Sequence, residues 1–322
     1  MVASHKEWKS GVFCLSFDFE LAWGSFDKWP VENSEERARL TRERVFPRLL
    51  ELLERYKISA TWAVVGHLFL DRCDGNHGEP RPRHRWFPDW YSCDPRGTEE
   101  TDPEWYGKSL VEKLLAAEPK QDVGLHGFSH CIWGDAGCSR EVAERELENA
   151  IAAAQGLGVE PRSFVFPRGE MGHFHVLSRG GIRVFRGGAE NWYDRLPGRV
   201  HRPLHIISQY IGVKPRTISP SIIEGMVYLP ASYLFVSMDG FRRMIPVCSR
   251  VLAARKGLEE AVRRKSVFQM FTHPFNLAYN NSNTSLLLGG FERILSIAAE
   301  MRDDNLIEIL NMDQIAQRVL GD

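Results

Sequence analysis

Short apolar segments that alternate with helical patterns are the feature that most constrains the fold of this chain. Three of these segments are GVFCLSF (11–17), SATWAVVG (59–66) and SVFQMFTH (266–273). Between the first two, apolar residues that include Val45 and Leu49 recur at the spacing of one helix face. Parallel strands joined by helical crossovers produce this alternation, and about seven such units favour a barrel over an open sheet. We therefore predict an α/β fold.

The composition excludes several classes of function. The chain has 322 residues and a formal net charge of −1, so it offers no basic surface for nucleic acid. The start MVASHKEWKSG has no apolar leader, and no later apolar run reaches the length of a membrane span. Six scattered cysteines with no C-x-x-C pair indicate reduced thiols, and argue against a disulfide framework or a cysteine-ligated zinc site. We therefore expect a cytoplasmic protein without a transmembrane segment.

Residues 71–106 break the alternation of strands and helices. This segment is rich in Pro, Gly, Arg, Trp and Asp and has no clear period. Structureless stretches of this length are uncommon in compact domains, and most of them are functional loops. We predict a long loop or insertion here.

Two carboxylates follow the first apolar segment, in the stretch FDFE. Side chains alternate along a strand, so Asp18 and Glu20 point the same way. Two carboxylates so close repel each other unless a proton or a cation lies beside them. Taken alone, the pair is more simply explained as a capping or salt-bridging pair at the start of a loop.

A histidine pair favours a metal site over the simpler explanation of the two carboxylates. In DVGLHGFSH, His126 ends a predicted strand and His130 follows four residues later. This spacing places both imidazoles on one face of a helical turn, and two histidines with a carboxylate are typical of catalytic zinc sites. His201 and His205 have the same spacing, but Pro203 lies between them and disfavours a helical turn. We interpret that second pair as surface or pocket-rim histidines.

A further histidine ends a late strand, in FQMFTHPFN. Pro274 follows His273 and blocks further strand pairing. A lone histidine at a strand end is usually structural. Beside a carboxylate pair and a histidine pair, His273 becomes a candidate general acid.

The order of these motifs resembles the polysaccharide deacetylases with the NodB homology domain, carbohydrate esterase family four. The resemblance runs from about residue 11 to 320 and implies a distorted (β/α) barrel of about seven strands. It therefore implies a single domain over residues 1–322, with the insertion at 71–106. It also implies one divalent metal ion, commonly zinc, with cobalt, nickel or manganese as alternatives.

The resemblance also implies roles for the acidic and histidine motifs. The commonest form of the family has two adjacent aspartates, the base first and the metal ligand second. This chain has Asp-x-Glu, similar to branches that act on lipid-linked sugars, other intracellular amides and cyclic ureides. The implied roles are Asp18 as general base and Glu20 as metal ligand with His126 and His130; the reverse assignment of the two carboxylates stays open.

The resemblance implies further roles for residues in two motifs that correspond to family motifs in altered form. In FPRGEMG, Arg168 is the candidate for the arginine that steadies Asp18, and a backbone N–H near Gly169 is a candidate oxyanion donor. In GGAENWYD, Glu190 or Asp194 is expected to orient His273. Three residues are assigned to substrate binding: Trp192, Trp23 and Glu190.

The resemblance implies a metal-dependent hydrolase that removes an N-acetyl or other acyl group from an amino sugar. The expected substrate is a small-molecule or lipid-linked acetamido sugar, as a cytoplasmic precursor or glycoconjugate. Aromatic residues of the 71–106 segment either stack on sugar rings or pin the loop to the barrel. A metal-dependent C–N hydrolase of a cyclic amide or ureide, and a non-catalytic carbohydrate-binding scaffold, are the alternatives.

Overall fold

A computed structural model describes residues 8–28, 32–189, 201–279 and 281–321. The strands are Gly11–Phe19 (β1), Thr61–Val64 (β2), Asp122–Leu125 (β3), Ser163–Val165 (β4), Val184–Ala189 (β5), Ser221–Ile223 (β6), Met226–Ala231 (β7), Tyr233–Leu234 (β8), Val267–Thr272 (β9) and Ile307–Ile309 (β10). The helices are Glu32–Leu40 (α1), Phe46–Tyr56 (α2), Lys108–Leu115 (α3), Arg140–Gln155 (α4), Phe174–Arg179 (α5), His201–Tyr210 (α6), Val247–Arg264 (α7), Asn281–Asp303 (α8) and Met312–Leu320 (α9).

Seven parallel strands form a continuous sheet in the order β7-β5-β4-β3-β2-β1-β9. The short strands β6 and β8 extend the two edges, and β10 pairs with the start of β1. The sheet curls into a half-barrel that helices cover. The predicted α/β fold and distorted (β/α) barrel are therefore confirmed.

The central strand β1 sets the relative positions of the candidate catalytic residues. All nine of its residues are buried, as expected of a strand covered on both faces of a parallel sheet. Its Phe17 pairs with Thr272 of β9, so the residues that follow, Asp18 and His273, lie beside each other. Its Phe19 pairs with Val64, the last residue of β2, and Val64 pairs in turn with Leu125, the last residue of β3. The carboxyl ends of β1, β3 and β9 therefore meet on one side of the sheet.

Two prolines occupy first turns of helices. Pro47 lies in the first turn of α2, directly after a π-helical turn at Thr41–Val45. Pro203 lies in the first turn of α6, so the prediction that it would disrupt a helix between His201 and His205 is wrong. Pro203 removes no helical hydrogen bond, because the first four N–H groups of a helix have no intrahelical acceptor. Pro47 instead lies in a helix that continues without a break, and its missing N–H falls where the π-helical turn already interrupts the α-helical hydrogen bonds.

The 71–106 segment forms no helix or strand, and every one of its residues is described. Four of its aromatic side chains are buried against the barrel, namely Trp90, Tyr91, Trp105 and Tyr106. Trp86 is 45 % exposed. The segment is therefore a packed loop held by aromatic side chains, and Trp86 is the aromatic residue that it presents to solvent.

The six cysteines are free, as their scattered positions predicted. Cys14 is buried inside β1, whereas Cys248 is exposed near the start of α7. Within the described ranges, no helix is both long and apolar enough to cross a membrane.

Candidate active site

The two carboxylates of the FDFE stretch lie together at the end of β1, and both are buried. His273, which directly follows β9, faces both of them. Its Nε2 atom lies 3.5 Å from Asp18 Oδ2 and 3.1 Å from Glu20 Oε1. Gly24 allows Glu20 to approach the following turn, because a Cβ atom at Gly24 would lie 2.3 Å from the carboxylate carbon. One imidazole therefore bridges the pair of carboxylates.

The histidine pair completes the cluster around Glu20. The Nε2 atoms of His130 and His126 lie 2.8 Å and 3.4 Å from Glu20 Oε2. The two histidines are joined by a loop, with φ of +74° at Gly127 and +60° at His130, so the predicted helical turn is wrong. The loop nevertheless places one candidate ligand atom from each of the three residues within 4.8 Å of the others.

The buried cluster shifts the pKa values of its members. Burial raises the pKa of Glu20, but His273 and His130 outweigh it and hold that pKa well below its ordinary value. Burial lowers the pKa of His130, and the Glu20 carboxylate offsets this effect only in part. For His126, the adjacent carboxylates of Glu20 and Asp18 outweigh burial and raise the pKa. Glu20 is therefore a carboxylate at neutral pH, as a metal ligand must be.

The donor set suits a divalent cation. Although both imidazoles approach Glu20 Oε2, this buried oxygen accepts no hydrogen bond of good geometry from any described residue. His126 Nδ1 lies 2.8 Å from the carbonyl oxygen of Val165 and can donate to it, which leaves the lone pair of Nε2 facing Glu20. Two imidazoles and one carboxylate match catalytic zinc sites, which keep a position for water or substrate.

The arginine that contacts Asp18 is Arg186, and the assignment of Arg168 to this position is wrong. Arg186 lies on β5, is buried, and pairs with Asp18 Oδ1 while its guanidinium lies 4.0 Å from the ring centre of Phe271. Arg168 follows β4 in a turn with φ of +58° and pairs instead with Asp27 at 2.5 Å. A single charge inside the apolar strand VFRGG was the signal for Arg186, because a charge in such a strand needs a buried partner.

The substrate residues expected from sequence are only partly described. Trp192, Glu190 and Asp194 lie outside the described residues. Trp23 is fully buried and donates its Nε1–H to the carbonyl oxygen of Trp105 at 2.9 Å, so its assignment to substrate contact is wrong.

A different residue contacts the outer nitrogen of His273. The side-chain amide of Asn276 lies 3.2 Å from His273 Nδ1, in the orienting position expected for Glu190 or Asp194. No sequence pattern points to Asn276, although it lies only three residues after His273 in the stretch HPFN.

Arg168 and Trp86 meet at Asp27, which interacts electrostatically with His130 of the cluster, and we call this pair the rim. Trp86 donates its Nε1–H to Asp27 Oδ2 at 2.8 Å, and the Arg168 guanidinium lies 5.7 Å from the Trp86 ring centre. Burial raises the pKa of Asp27, but its hydrogen bonds to Arg168 and Trp86 lower that pKa below its usual value overall. The rim therefore offers a half-exposed aromatic ring and a cation.

Glu146 of α4 supports the loop that carries His130. Its carboxylate is buried and accepts hydrogen bonds from the Ser129 hydroxyl at 2.6 Å and the Tyr91 hydroxyl at 2.8 Å. It also accepts hydrogen bonds at 3.0 Å from the backbone N–H groups of Phe128 and Ser129. The sequence alone does not identify Glu146, because nothing in a helical pattern shows which carboxylate faces a distant loop.

A family model described as polysaccharide deacetylase matches residues 19–179, half of the chain. The chain belongs to the polysaccharide deacetylase family. The matched part includes Glu20, His126 and His130, whereas Asp18, Arg186 and His273 lie outside it. No curated protein sequence matches the chain.

Solved structures share the fold of this polysaccharide deacetylase family member. A putative polysaccharide deacetylase from Mycobacterium smegmatis is 16 % identical with a TM-score of 0.65, over 100 % of this chain and 95 % of that chain. A probable polysaccharide deacetylase from Pseudomonas aeruginosa PAO1 is 10 % identical with a TM-score of 0.59, over 95 % and 89 %. Puue allantoinase is 10 % identical with a TM-score of 0.57, over 95 % and 89 %. At these identities the similarity concerns the fold alone.

Proposed function

We propose that this protein is a metal-dependent hydrolase that removes an acetyl or other acyl group from the nitrogen of an amino sugar. The observation that carries the proposal is the convergence of five side chains at the ends of β1, β3 and β9. Asp18, Glu20, His126, His130 and His273 come from three distant parts of the sequence and lie within one buried cluster. Membership of the family supports the same reaction class.

Glu20, His126 and His130 would hold the divalent ion, with zinc as the first choice and cobalt, nickel or manganese as alternatives. The chemistry that such an ion supplies is polarisation of the scissile carbonyl and acidification of water. The three side chains are at least 97 % buried, so the electrostatic interactions among them are screened little by solvent. Loop geometry rather than helix geometry sets the position of His130.

Asp18 is the proposed general base. Its Oδ1 atom is engaged by Arg186, so Oδ2 is the oxygen left to accept a proton from the attacking water. The arginine also restricts the orientation of the carboxylate, because its guanidinium is itself held 4.0 Å from the ring centre of Phe271. Arg186 acts through Asp18 and is a positioning residue.

His273 is the proposed general acid. In its protonated form, Nε2–H faces the space between Asp18 and Glu20, where it can be donated to the departing amine nitrogen. Its side chain is 22 % exposed, against 6 % for Asp18, so it lies on the solvent side of the cluster. The side-chain amide of Asn276 lies within hydrogen-bond distance of the other ring nitrogen, Nδ1.

The proposed substrate is an acetamido sugar, either a small molecule or lipid-linked. Trp86 supports this choice, since an exposed indole ring beside a catalytic cluster provides a flat apolar surface for a sugar ring. We also propose a cytoplasmic location, which is supported by the six free thiols.

The test is release of acetate from a panel of N-acetylated sugars, measured with metal-depleted and zinc-reloaded protein. We expect acetate and a free amino sugar from the reloaded protein, and about 10²–10⁴-fold slower release from the Asp18→Asn variant. A metal-loaded wild-type protein that frees no amino sugar from N-acetylated sugars or from sugars with longer N-acyl groups would contradict the proposal.

A cyclic amide or ureide is the second candidate substrate. The observation that favours it is the Asp-x-Glu spacing of Asp18 and Glu20, together with the similarity of fold to an allantoinase. Opening a cyclic amide requires the same base, acid and carbonyl polarisation. Ring opening without acetate release would select this reaction, and acetate release without ring opening would exclude it.

A further inference from the structure

A second cluster of metal-ligating side chains lies behind the candidate active site. It consists of His67, Cys73, His77 and Asp94, all of which are buried, and one donor atom from each lies within 4.8 Å of the others. His67 lies in the turn that follows β2, and the other three belong to the 71–106 segment. We propose that these four residues form a structural zinc site that fastens this segment to the barrel.

The separations in the cluster suit a tetrahedral ion. Zinc bonds of about 2.0–2.3 Å place neighbouring ligand atoms about 3.3–3.8 Å apart. Cys73 Sγ lies 3.3 Å from Asp94 Oδ2 and 3.7 Å from His77 Nε2, and His67 Nε2 lies 3.9 Å from Asp94 Oδ2. His77 and Asp94 are closer, with 2.6 Å between Nε2 and Oδ2. Metal binding would exchange this hydrogen bond for two bonds to the ion.

His67 carries an unused lone pair that faces the cluster. Its Nδ1 atom lies 2.9 Å from the carbonyl oxygen of Phe128 and can donate to it, which leaves Nε2 as the atom with the lone pair. This Nε2 is buried and has no hydrogen-bond partner in the described part of the chain. An unsatisfied buried polar atom destabilises the fold, and coordination to a cation removes that cost.

The surrounding contacts orient the other ligands as outer-shell partners of a metal site do. Asp94 Oδ1 accepts hydrogen bonds from the N–H of Arg96 at 3.0 Å and the hydroxyl of Tyr106 at 3.1 Å, so Oδ2 is left for the ion. The N–H of Gly75 donates to Cys73 Sγ at 3.2 Å and lowers the pKa of the thiol, but burial outweighs this and raises that pKa to about 12, so the thiolate requires a bound cation. Gly75 has φ of +79°, a conformation that glycine adopts readily.

The chemical character of the set favours zinc and a structural role. Two imidazoles, one thiolate and one carboxylate complete four-coordination, so no position is left for a substrate. The set also contains a soft thiolate, which disfavours Mg²⁺ and Ca²⁺. The scattered cysteines argued against a cysteine-ligated site, but that inference holds only for paired cysteines and not for one thiol among imidazoles and a carboxylate.

The cluster is linked to the candidate active site through two contacts of His67. Its backbone N–H and its Nδ1 both approach the carbonyl oxygen of Phe128, in the loop that leads to His130. Its ring stacks on Trp23, with 3.9 Å between the ring centres, and Trp23 follows Glu20 by three residues. An ion at this cluster would therefore hold both the insertion and the base of the active-site loops.

The test uses full-length protein that is stripped with chelator and reloaded with Co²⁺. The active-site set of Glu20, His126 and His130 contains no thiol, so a thiolate-to-cobalt charge-transfer band reports only the second cluster. We expect this band and two metal ions per chain in the wild type. Zn²⁺ added in excess should displace the cobalt and remove the band.

Three variants sharpen the result. Cys73→Ser should remove the band and lower the metal content by one ion per chain, whereas Cys93→Ser, in the same segment but outside the cluster, should change neither. Glu20→Ala should keep the band, so the outcome is independent of the proposed activity. Absence of the band in the wild type, which requires no variant to fold, or its persistence in Cys73→Ser, would overturn the proposal.

Discussion

Arg186 and Asp18, 168 residues apart in the sequence, form a buried ion pair at the carboxyl end of the sheet. Arg186 comes from β5 and Asp18 from β1, and three strands lie between them in the sheet. The pair therefore crosses the interior of the half-barrel. This geometry makes the carboxylate that we propose as the base dependent on a residue from the far side of the sheet.

The first prediction concerns this ion pair. Arg186→Gln leaves the Asp18 carboxylate buried without its partner, so we expect a loss of about 3–5 kcal/mol in the free energy of unfolding. Adding Asp18→Asn removes the orphaned charge, and the double variant should recover a large part of that loss. Denaturant unfolding of the two single variants and the double variant measures the coupling. Additive effects would show that the two side chains do not interact.

The second prediction separates the two carboxylates. Asp18→Asn should retain the metal and lower kcat by about 10²–10⁴-fold, because a general base is lost. Glu20→Ala should lower the metal content by one ion per chain, because a ligand is lost. Elemental analysis and acetate release on the same samples provide both readouts. Loss of the metal in Asp18→Asn, with the metal retained in Glu20→Ala, would instead make Asp18 the metal ligand and Glu20 the general base.

The third prediction concerns the support of the His130 loop. Glu146→Gln replaces one carboxylate oxygen by an NH₂ group that cannot accept hydrogen bonds from the loop. We expect metal affinity at the active site to fall by about 10–100-fold, as for other outer-shell substitutions. Glu148→Gln, which is exposed on the same helix, is the matched control. Competition with a metal-binding dye measures the affinity, and equal affinities in both variants would refute a positioning role.

The fourth prediction concerns Trp86 at the rim. Trp86→Ala should raise KM several-fold with little change in kcat, since the indole is proposed to contact the sugar and not the reacting atoms. Trp90→Ala, in the same segment but 1 % exposed, should instead cost about 3–5 kcal/mol of stability. Steady-state kinetics and thermal unfolding distinguish the two effects. An unchanged KM in Trp86→Ala would remove this residue from the substrate site.

The fifth prediction is a dependence of stability on pH that arises far from the site. Asp122 begins β3 and accepts hydrogen bonds from the hydroxyls of Thr61 and Ser163, each at 2.7 Å. Burial nevertheless raises the pKa of Asp122 to about 6. Because this pKa exceeds the unfolded value of about 3.9, the folded protein holds the proton more tightly. The contribution of Asp122 to stability is therefore complete below about pH 4 and is lost as the pH rises to about 6.

A shift of about two pKa units corresponds to a change of about 3 kcal/mol. Asp122→Asn should flatten the stability profile between pH 4 and 6.5 by this amount, while the exposed Asp304→Asn controls for the change in net charge. Urea midpoints across that range provide the measurement. A profile that is identical in the wild type and in Asp122→Asn would contradict the assignment.

The strand-end residues were predictable because strand polarity is visible in the sequence. A buried apolar segment that ends in Asp18, His126 or His273 must deliver that residue to the same edge of a parallel sheet. The register of β1 against β9 places Asp18 beside His273, as this reasoning requires. The alternation of strands and helices followed from the same periodic pattern, whereas the distorted barrel was implied by the resemblance to the family.

The remaining features depended on packing between elements that no local pattern connects. Whether Arg168 or Arg186 contacts Asp18 is decided by the curl of the sheet and by a left-handed turn, neither of which has a sequence period. Trp23 is buried by a loop that begins some 50 residues later in the chain, and that same loop assembles Cys73, His77 and Asp94 around His67. Periodic segments thus reveal their own direction and buried face, but only the folded chain brings aperiodic segments to their partners, because those contacts form across the tertiary structure.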